Sequence, residues 1–383
     1  MHFTTFLFKN LQRRLARTIL TCLGIGAAVG TTISLLGVSD NFRRETQSGF
    51  TNRGIDIVVI QNVLDQLTSD LPDDTGAKIE AAIPEVEATA SALLDIVPYN
   101  HRGSMLTFPV QGWRPDGFLM HSLKIVSGRL ITDADVNQIM IGKILAGLIE
   151  KKVGDKVVLN GEEFEIVGVF ESTTLQENRC AIAILPRVQQ MFFRKDRITG
   201  LSVRLKKEST TKEEVKRVCG LINALKNEEG NSLELEAQPT NDYVDNAMHI
   251  QVAQSMAWMT SIIAIIVGAI GMVNTMVMSV VERTREISIL RAIGWRRSRI
   301  VAMIVGESLM LSLGGTIVGA IGASILVWGL VQLPEVSGYL SADIPWTAYV
   351  KGICLAFLVG AFGGLYPALR AAMLMPSEGL RHE

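Results

Sequence analysis

The chain has 383 residues, 48% of them hydrophobic, and a formal net charge of −1. That total conceals an asymmetry: residues 39–255 carry 24 Lys and Arg against 31 Asp and Glu, net −7, and the remainder carries 13 against 7, net +6. No basic patch interleaved with aromatics exists, which argues against a nucleic-acid binder, and no Gly-x-x-x-x-Gly-Lys-Ser/Thr motif exists to cradle ATP phosphates.

The opening segment, "FTTFLFKNLQRRLART", places Phe3, Leu7, Leu11 and Leu15 at four-residue spacing, with Lys9, Arg13 and Arg17 off that stripe. Residues 1–17 are therefore expected to form an amphipathic helix in the cytoplasmic membrane interface, or else to extend the first span into the cytoplasm. Thr18–Val38 is uncharged over 21 residues, enough to cross a bilayer. It is long for a signal-peptide core and ends "SLLGVSD" without a small-x-small cleavage site, so it reads as a retained anchor.

Residues 39–255 read as an α+β domain. "DIVVI" (56–60) is a buried strand. "KVVLNGEEFEIVGVF" (156–170) is a hairpin turning at Asn160-Gly161, the dipeptide favoured in type I′ turns. "LSVRL" (201–205), "TKEEVKRVCGLINAL" (211–225) and "LELEA" (233–237) give strand, helix, strand. Cys180 and Cys219 fall in this domain, where a disulfide is permitted but is not fixed by the sequence. Cys22 and Cys354 lie in spans as small apolar residues. The five histidines are scattered, His101 and His121 twenty positions apart in the same domain. No catalytic, cofactor-binding or metal-ligating set is expected.

Three more spans follow: 256–281 without charge, 300–333 with Glu307 alone, and 346–369 with Lys351 alone. Between the last two, residues 334–345 carry Glu335 and Asp343 and no basic residue, whereas 281–300 holds six arginines. Lys/Arg bias then places both termini, including the tail 370–383, and the arginine-rich loop in the cytoplasm of a multi-pass inner-membrane protein, with 39–255 outside. Gly26-x-x-x-Gly30, in "GIGAAVG", looks like a dinucleotide fingerprint. It lies inside a span, though, and reads as small-residue helix packing, as do Gly314, Gly315, Gly319 and Gly322. Asn274 and Glu307 are polar groups within spans, and such groups are usually paired or functional; Arg297 or Arg299, or a neighbouring span, is the expected shield for Glu307.

The stretch "VERTREISILRAIGWRRSRI" (281–300) carries most of the functional reading. Ile287, Leu290 and Ile293 recur every three residues, Glu282 and Glu286 sit where a helix begins, and Gly294 ends it. An amphipathic helix at the membrane face, over 282–299, is expected. An ordinary positive-inside loop would explain the arginines but not the regular apolar positions.

"ERTREISILRAIGWRRSRI" resembles the signature of the MacB/FtsX-type ABC transporter permeases, the mechanotransmission or type VII group. "GGLYPALRAAMLMPSEGLRHE" (363–383) is similar to that family's tail, where Tyr-Pro-Ala closes the fourth span. The segment 126–170 and "RGIDIVVI" (53–60) resemble parts of its extracytoplasmic domain. The resemblance implies four transmembrane helices with a large α+β domain between the first two. It implies a dimeric or paired permease and a separate cytoplasmic ATPase that binds ATP and Mg. Glu282, Arg283, Arg285, Glu286, Leu290, Arg291, Ile293 and Gly294 would form the surface that docks on that ATPase. Export of a substrate, with or without a periplasmic adaptor, is the implied function. Lipoprotein release and signalling to cell-wall hydrolases remain alternatives within the family, and a stand-alone receptor is a further one.

Overall fold

The computed structural model describes residues 15–61, 68–226, 232–333, 336 and 340–374. They divide into two compact units, one of residues 42–251 with 333–341 and one of the remainder. Of the expected interface helix (1–17), residues 1–14 lie outside the described residues and 15–17 open the first long helix, and most of the expected tail, 375–383, lies outside them as well.

The elements in chain order are α1 (Leu15–Asn52), β1 (Ile57–Gln61), β2 (Leu71–Pro72), α2 (Thr75–Ala82), β3 (Val86–His101), β4 (Ser104–Trp113), α3 (Phe118–His121), β5 (Lys124–Gly128), β6 (Gln138–Gly142), α4 (Lys143–Ile149), β7 (Lys156–Leu159), β8 (Glu162–Glu171), β9 (Ala181–Ile184), α5 (Leu185–Met191), β10 (Arg197–Ile198), β11 (Gly200–Leu205), α6 (Lys212–Asn223), β12 (Leu235–Pro239), α7 (Thr240–Asn246), α8 (Met248–Glu282), α9 (Thr284–Ala292), α10 (Arg297–Val331) and α11 (Trp346–Ala372).

In the α+β unit, β12-β1-β11-β3-β4-β9-β6-β8-β5 form one sheet, with β7 added on β8 and β2 paired separately with β10. Among the described strands, β4–β9 and β6–β8 run parallel and the other pairs antiparallel. Both faces of the sheet are covered. Ile57 and Val59 of β1 belong to one buried cluster and Val58 and Ile60 to another. Ile139 and Ile141 of β6 likewise face the first, and Met140 the second. Two-sided burial is why residues 57–60 are apolar throughout instead of alternating. Helix α6 packs by Val215, Val218, Cys219 and Ile222, one apolar stripe at helical spacing.

The β7–β8 hairpin forms as its sequence requires. Leu159 faces Glu162 across the turn, and Asn160 and Gly161 both have positive φ, 50° and 83°, as a type I′ turn demands. The longest hairpin, β3–β4, turns in the same way through Arg102 (φ 50°) and Gly103 (φ 86°), with His101 facing Ser104.

In the other unit, α1, α8, α10 and α11 are long and apolar enough to cross a membrane. α1, α8 and α11 run beyond the spans read from the sequence, and α10 begins three residues before its expected start and ends two before its expected end. α1 continues through 39–52, which contains no proline to stop it. Glycines set the contact between α1 and α10. A Cβ on Gly319 would come within 2.5 Å of the Gly26 carbonyl oxygen, and one on Gly30 within 2.9 Å of the Gly319 oxygen. This is the close backbone approach that small-xxx-small spacing allows. Gly322 takes no part, with nothing within 4 Å of its Cβ position. On α11, Gly360 and Gly364 accommodate Ser312 and Ser308 of α10, and the Ser308 hydroxyl donates to the Gly360 carbonyl at 2.7 Å. Pro367 does not close α11 but lies buried inside it, and the helix ends at Ala372. The carbonyl that a helical proline crowds, four residues back, belongs to Gly363.

Candidate coupling helix

Helix α9 occupies Thr284–Ala292 of the arginine-rich stretch, shorter than the expected 282–299. Arg283 separates it from α8 and takes the N-cap position. Glu286 lies in its first turn and Arg291 in its last, each suited to the helix dipole. The helix ends as a Schellman motif. The Trp295 N–H donates to the Leu290 carbonyl at 3.1 Å and the Gly294 N–H to Arg291 at 3.1 Å, with Gly294 at φ 97°. Arg299 then stacks over the Trp295 ring, 5.2 Å from its centroid.

The two sides of α9 differ from the single expected stripe. Ile287 and Ser288 are buried and Leu290 is half-buried against the same cluster. Ile293 is 73% exposed and Ile289 is exposed as well. Arg285, Glu286, Ala292 and Gly294 are exposed. The outward face thus combines Ile289 and Ile293 with Arg285 and Glu286. Ile289 is a member that the three-residue pattern did not include.

The remaining predicted residues are engaged inside this unit. Arg17 of α1 grips Glu282 through two hydrogen bonds, 2.6 and 2.8 Å. Arg283 Nη1 donates to Glu307 Oε2 at 2.8 Å, and the two side chains are only 11% and 7% exposed. The shield of Glu307 is therefore Arg283 and not Arg297 or Arg299, because the turn from α8 into α9 points Arg283 back at α10. Arg291 donates to the Trp295 carbonyl at 3.1 Å and is half-buried. Glu282, Arg283 and Arg291 consequently spend much of their hydrogen bonding on internal contacts. The Ser288 hydroxyl has no hydrogen-bond partner among the described residues. Asn274 is exposed on α8.

The permitted disulfide does not form: Cys180 and Cys219 are both free. They belong to different buried clusters. Burial is the main cause that pushes the Cys219 thiol up to about 12, and it holds Cys180 well above the usual thiol range. Both behave as small apolar residues. No group of three or more His, Cys, Asp or Glu side chains able to hold a metal occurs among the described residues.

Residues 18–218 match the family described as the MacB-like periplasmic core domain, and residues 258–376 match the FtsX-like permease C-terminal family. The chain belongs to the MacB/FtsX family of ABC transporter permeases. It is 28% identical over 394 residues to the ABC transporter permease YknZ of Bacillus subtilis, covering 96% of this chain and 95% of that one. It is 27% identical over 399 residues to the ABC transporter permease MJ1507 of Methanocaldococcus jannaschii, covering 99% and 97%. It is 22% identical over 408 residues to the macrolide export ATP-binding/permease protein MacB of Bdellovibrio bacteriovorus, covering 98% of this chain but 61% of that longer protein. This chain is an ABC transporter permease and a multi-pass membrane protein, a role that implies an ATPase partner.

Proposed function

We propose that α9 docks on a cytoplasmic ATPase carried by a separate chain, and that ATP-driven movement of α9 reaches the α+β domain as conformational work, exporting a substrate by mechanotransmission. ATP and Mg belong to the ATPase, and this chain contributes no cofactor site. The outward face of α9 carries the proposal. Ile289 and Ile293 stand in solvent beside Arg285 and Glu286, an apolar pair flanked by charges that fits a groove and fixes a register. The near end-to-end match with YknZ and MJ1507 supports a separate ATPase. In this reading both termini are cytoplasmic and two permease copies work together. A periplasmic adaptor joins them where the host has an outer membrane.

The test is purification of the tagged chain from its native membrane in mild detergent, with identification of what accompanies it. A stoichiometric ATP-binding subunit is expected. Ile293→Asp should reduce its recovery about tenfold or more, the loss that removal of a central contact produces, at unchanged thermal stability. Wild-type chain without any ATP-binding partner overturns the proposal, and normal recovery with Ile293→Asp moves the docking face elsewhere.

A further inference from the structure

Glu282 and Arg283 are adjacent, and each holds a different membrane helix. Glu282 is gripped by Arg17 of α1, and Arg283 is paired with Glu307 of α10. Arg283 is also the residue from which α9 starts. Glu307 is ten residues into α10, about 15 Å along its axis. Around the pair lies a small cavity lined by Met276, Ser279, Ile287, Met303 and Ile304, so the ion pair is set among apolar and weakly polar groups. The buried Ser288 hydroxyl of α9 has no hydrogen-bond partner among the described residues.

A buried ion pair is an expensive way to hold two helices together. Desolvation of both charges offsets most of their attraction, and apolar residues of similar volume usually hold as well or better. What the pair offers instead is direction: it tolerates little sliding, whereas apolar contacts re-pack. Loss of one partner leaves an uncompensated charge in the membrane.

We infer that Arg283 and Glu307 are positioning residues that pin the start of α9 to α10, with Arg17–Glu282 as the companion pin to α1, so that a displacement of α9 is delivered to both helices at once. This rests on the reading of α9 as the docking helix. The pins themselves are tested without any ATPase.

Two measurements decide it, on the full chain in nanodiscs. In a background with Cys22 and Cys354 replaced by Ala, spin labels are placed at Ile293 and at Leu313, both exposed. The wild-type pair is expected to give a narrow distance distribution. The double variant Arg283→Met, Glu307→Leu keeps the space filled and leaves no orphan charge. It should retain thermal stability yet lose the narrow distribution, and Arg283→Lys should recover it. A distribution as narrow in the apolar double variant as in wild type overturns the inference, whatever binds α9. The second measurement is stimulation of the partner ATPase by the permease. The double variant should bind the ATPase normally and lose about tenfold in stimulation, within the range that packed networks transmit. Normal stimulation in that variant overturns the inference as well. Wild-type chain that binds no ATPase overturns the docking proposal instead, and the label distances still decide on the pins.

Discussion

Among the glycines that set the approach of α1 and α10, Gly319 makes the closest backbone contact. Gly319→Leu would drive a side chain into the Gly26 carbonyl, 2.5 Å from the position of the new Cβ, and overpacking of this kind costs about 1–3 kcal/mol. Gly322→Leu, with open space around it, should be neutral. Thermal stability in detergent is expected to fall for the first variant and stay level for the second, and equal effects would show that the helices do not cross at these glycines. In the α+β unit the analogous residue is Asp135. It accepts hydrogen bonds from Arg129 and from the Thr132 N–H and hydroxyl, and the Arg129 contact is the largest cause that holds its carboxyl well below the usual range. A folded-state pKa below the unfolded one means that this stabilisation is present above about pH 4 and is lost as pH falls through the folded value. Arg129 is half-exposed, and screening by solvent keeps its share small. Asp135→Asn should thus destabilise the chain by roughly 1–2 kcal/mol at pH 7, with the gap from wild type narrowing in thermal scans below pH 4. That Gly26, Gly30, Gly315 and Gly319 serve helix packing was readable from their spacing; that the two sets face each other, and that Gly322 takes no part, was not. Nor was the partner of Glu307, since it depends on which way the chain turns after Glu282.

At the scale of elements, local signals were read well where one rule governed. The Asn160-Gly161 turn, the helix over 211–225 and the end of α9 at Gly294 each needed only neighbouring residues. The outward face of α9 was misjudged for a geometric reason. A three-residue step falls about 60° short of a full helical turn. Ile287 and Leu290 still share the buried side, but Ile293 has drifted round to join Ile289. The β3–β4 hairpin passed unseen because Arg102-Gly103 lacks the asparagine of the common turn and because Pro98 and Pro109 argue against strands. Both prolines are tolerated at the edges of the pairing. β11 leaves β3 at Ala92, and β9 meets β4 only from Val110. The closure of α9 is itself testable. Gly294→Val places a branched side chain at φ 97°, which costs roughly 1–2 kcal/mol or more. It should fray the last turn, so that recovery of the ATPase falls although no contacting side chain has changed. Unaltered recovery would mean that docking does not need the Schellman end.

For the whole molecule, the two units were legible from charge and apolar runs, but the strand order was not. Pairing β1 with β11 and β12 joins residues more than 140 positions apart, and no local pattern announces such contacts. The proposed topology makes a prediction at this scale. Single cysteines at Phe193, 95% exposed in the α+β unit, and at Ile293 on α9 should respond oppositely to a membrane-impermeant maleimide applied to intact cells or spheroplasts. The first is expected to label and the second to label only after permeabilisation; labelling of both before permeabilisation would refute the arrangement. The prolines of the β3–β4 hairpin also bear on what its outer edges can pair with. Beyond Ala92 no strand among the described residues pairs with the outer side of β3, and an unpaired edge is a template for cross-chain sheet growth. Leu94 sends its N–H to that side, toward Thr199, and by the alternation of the strand so would residue 98, where proline has no N–H to offer. Pro109 interrupts the opposite edge in the same way. A strand added at either edge would therefore meet a missing donor, at the two positions that made the hairpin hard to recognise as one.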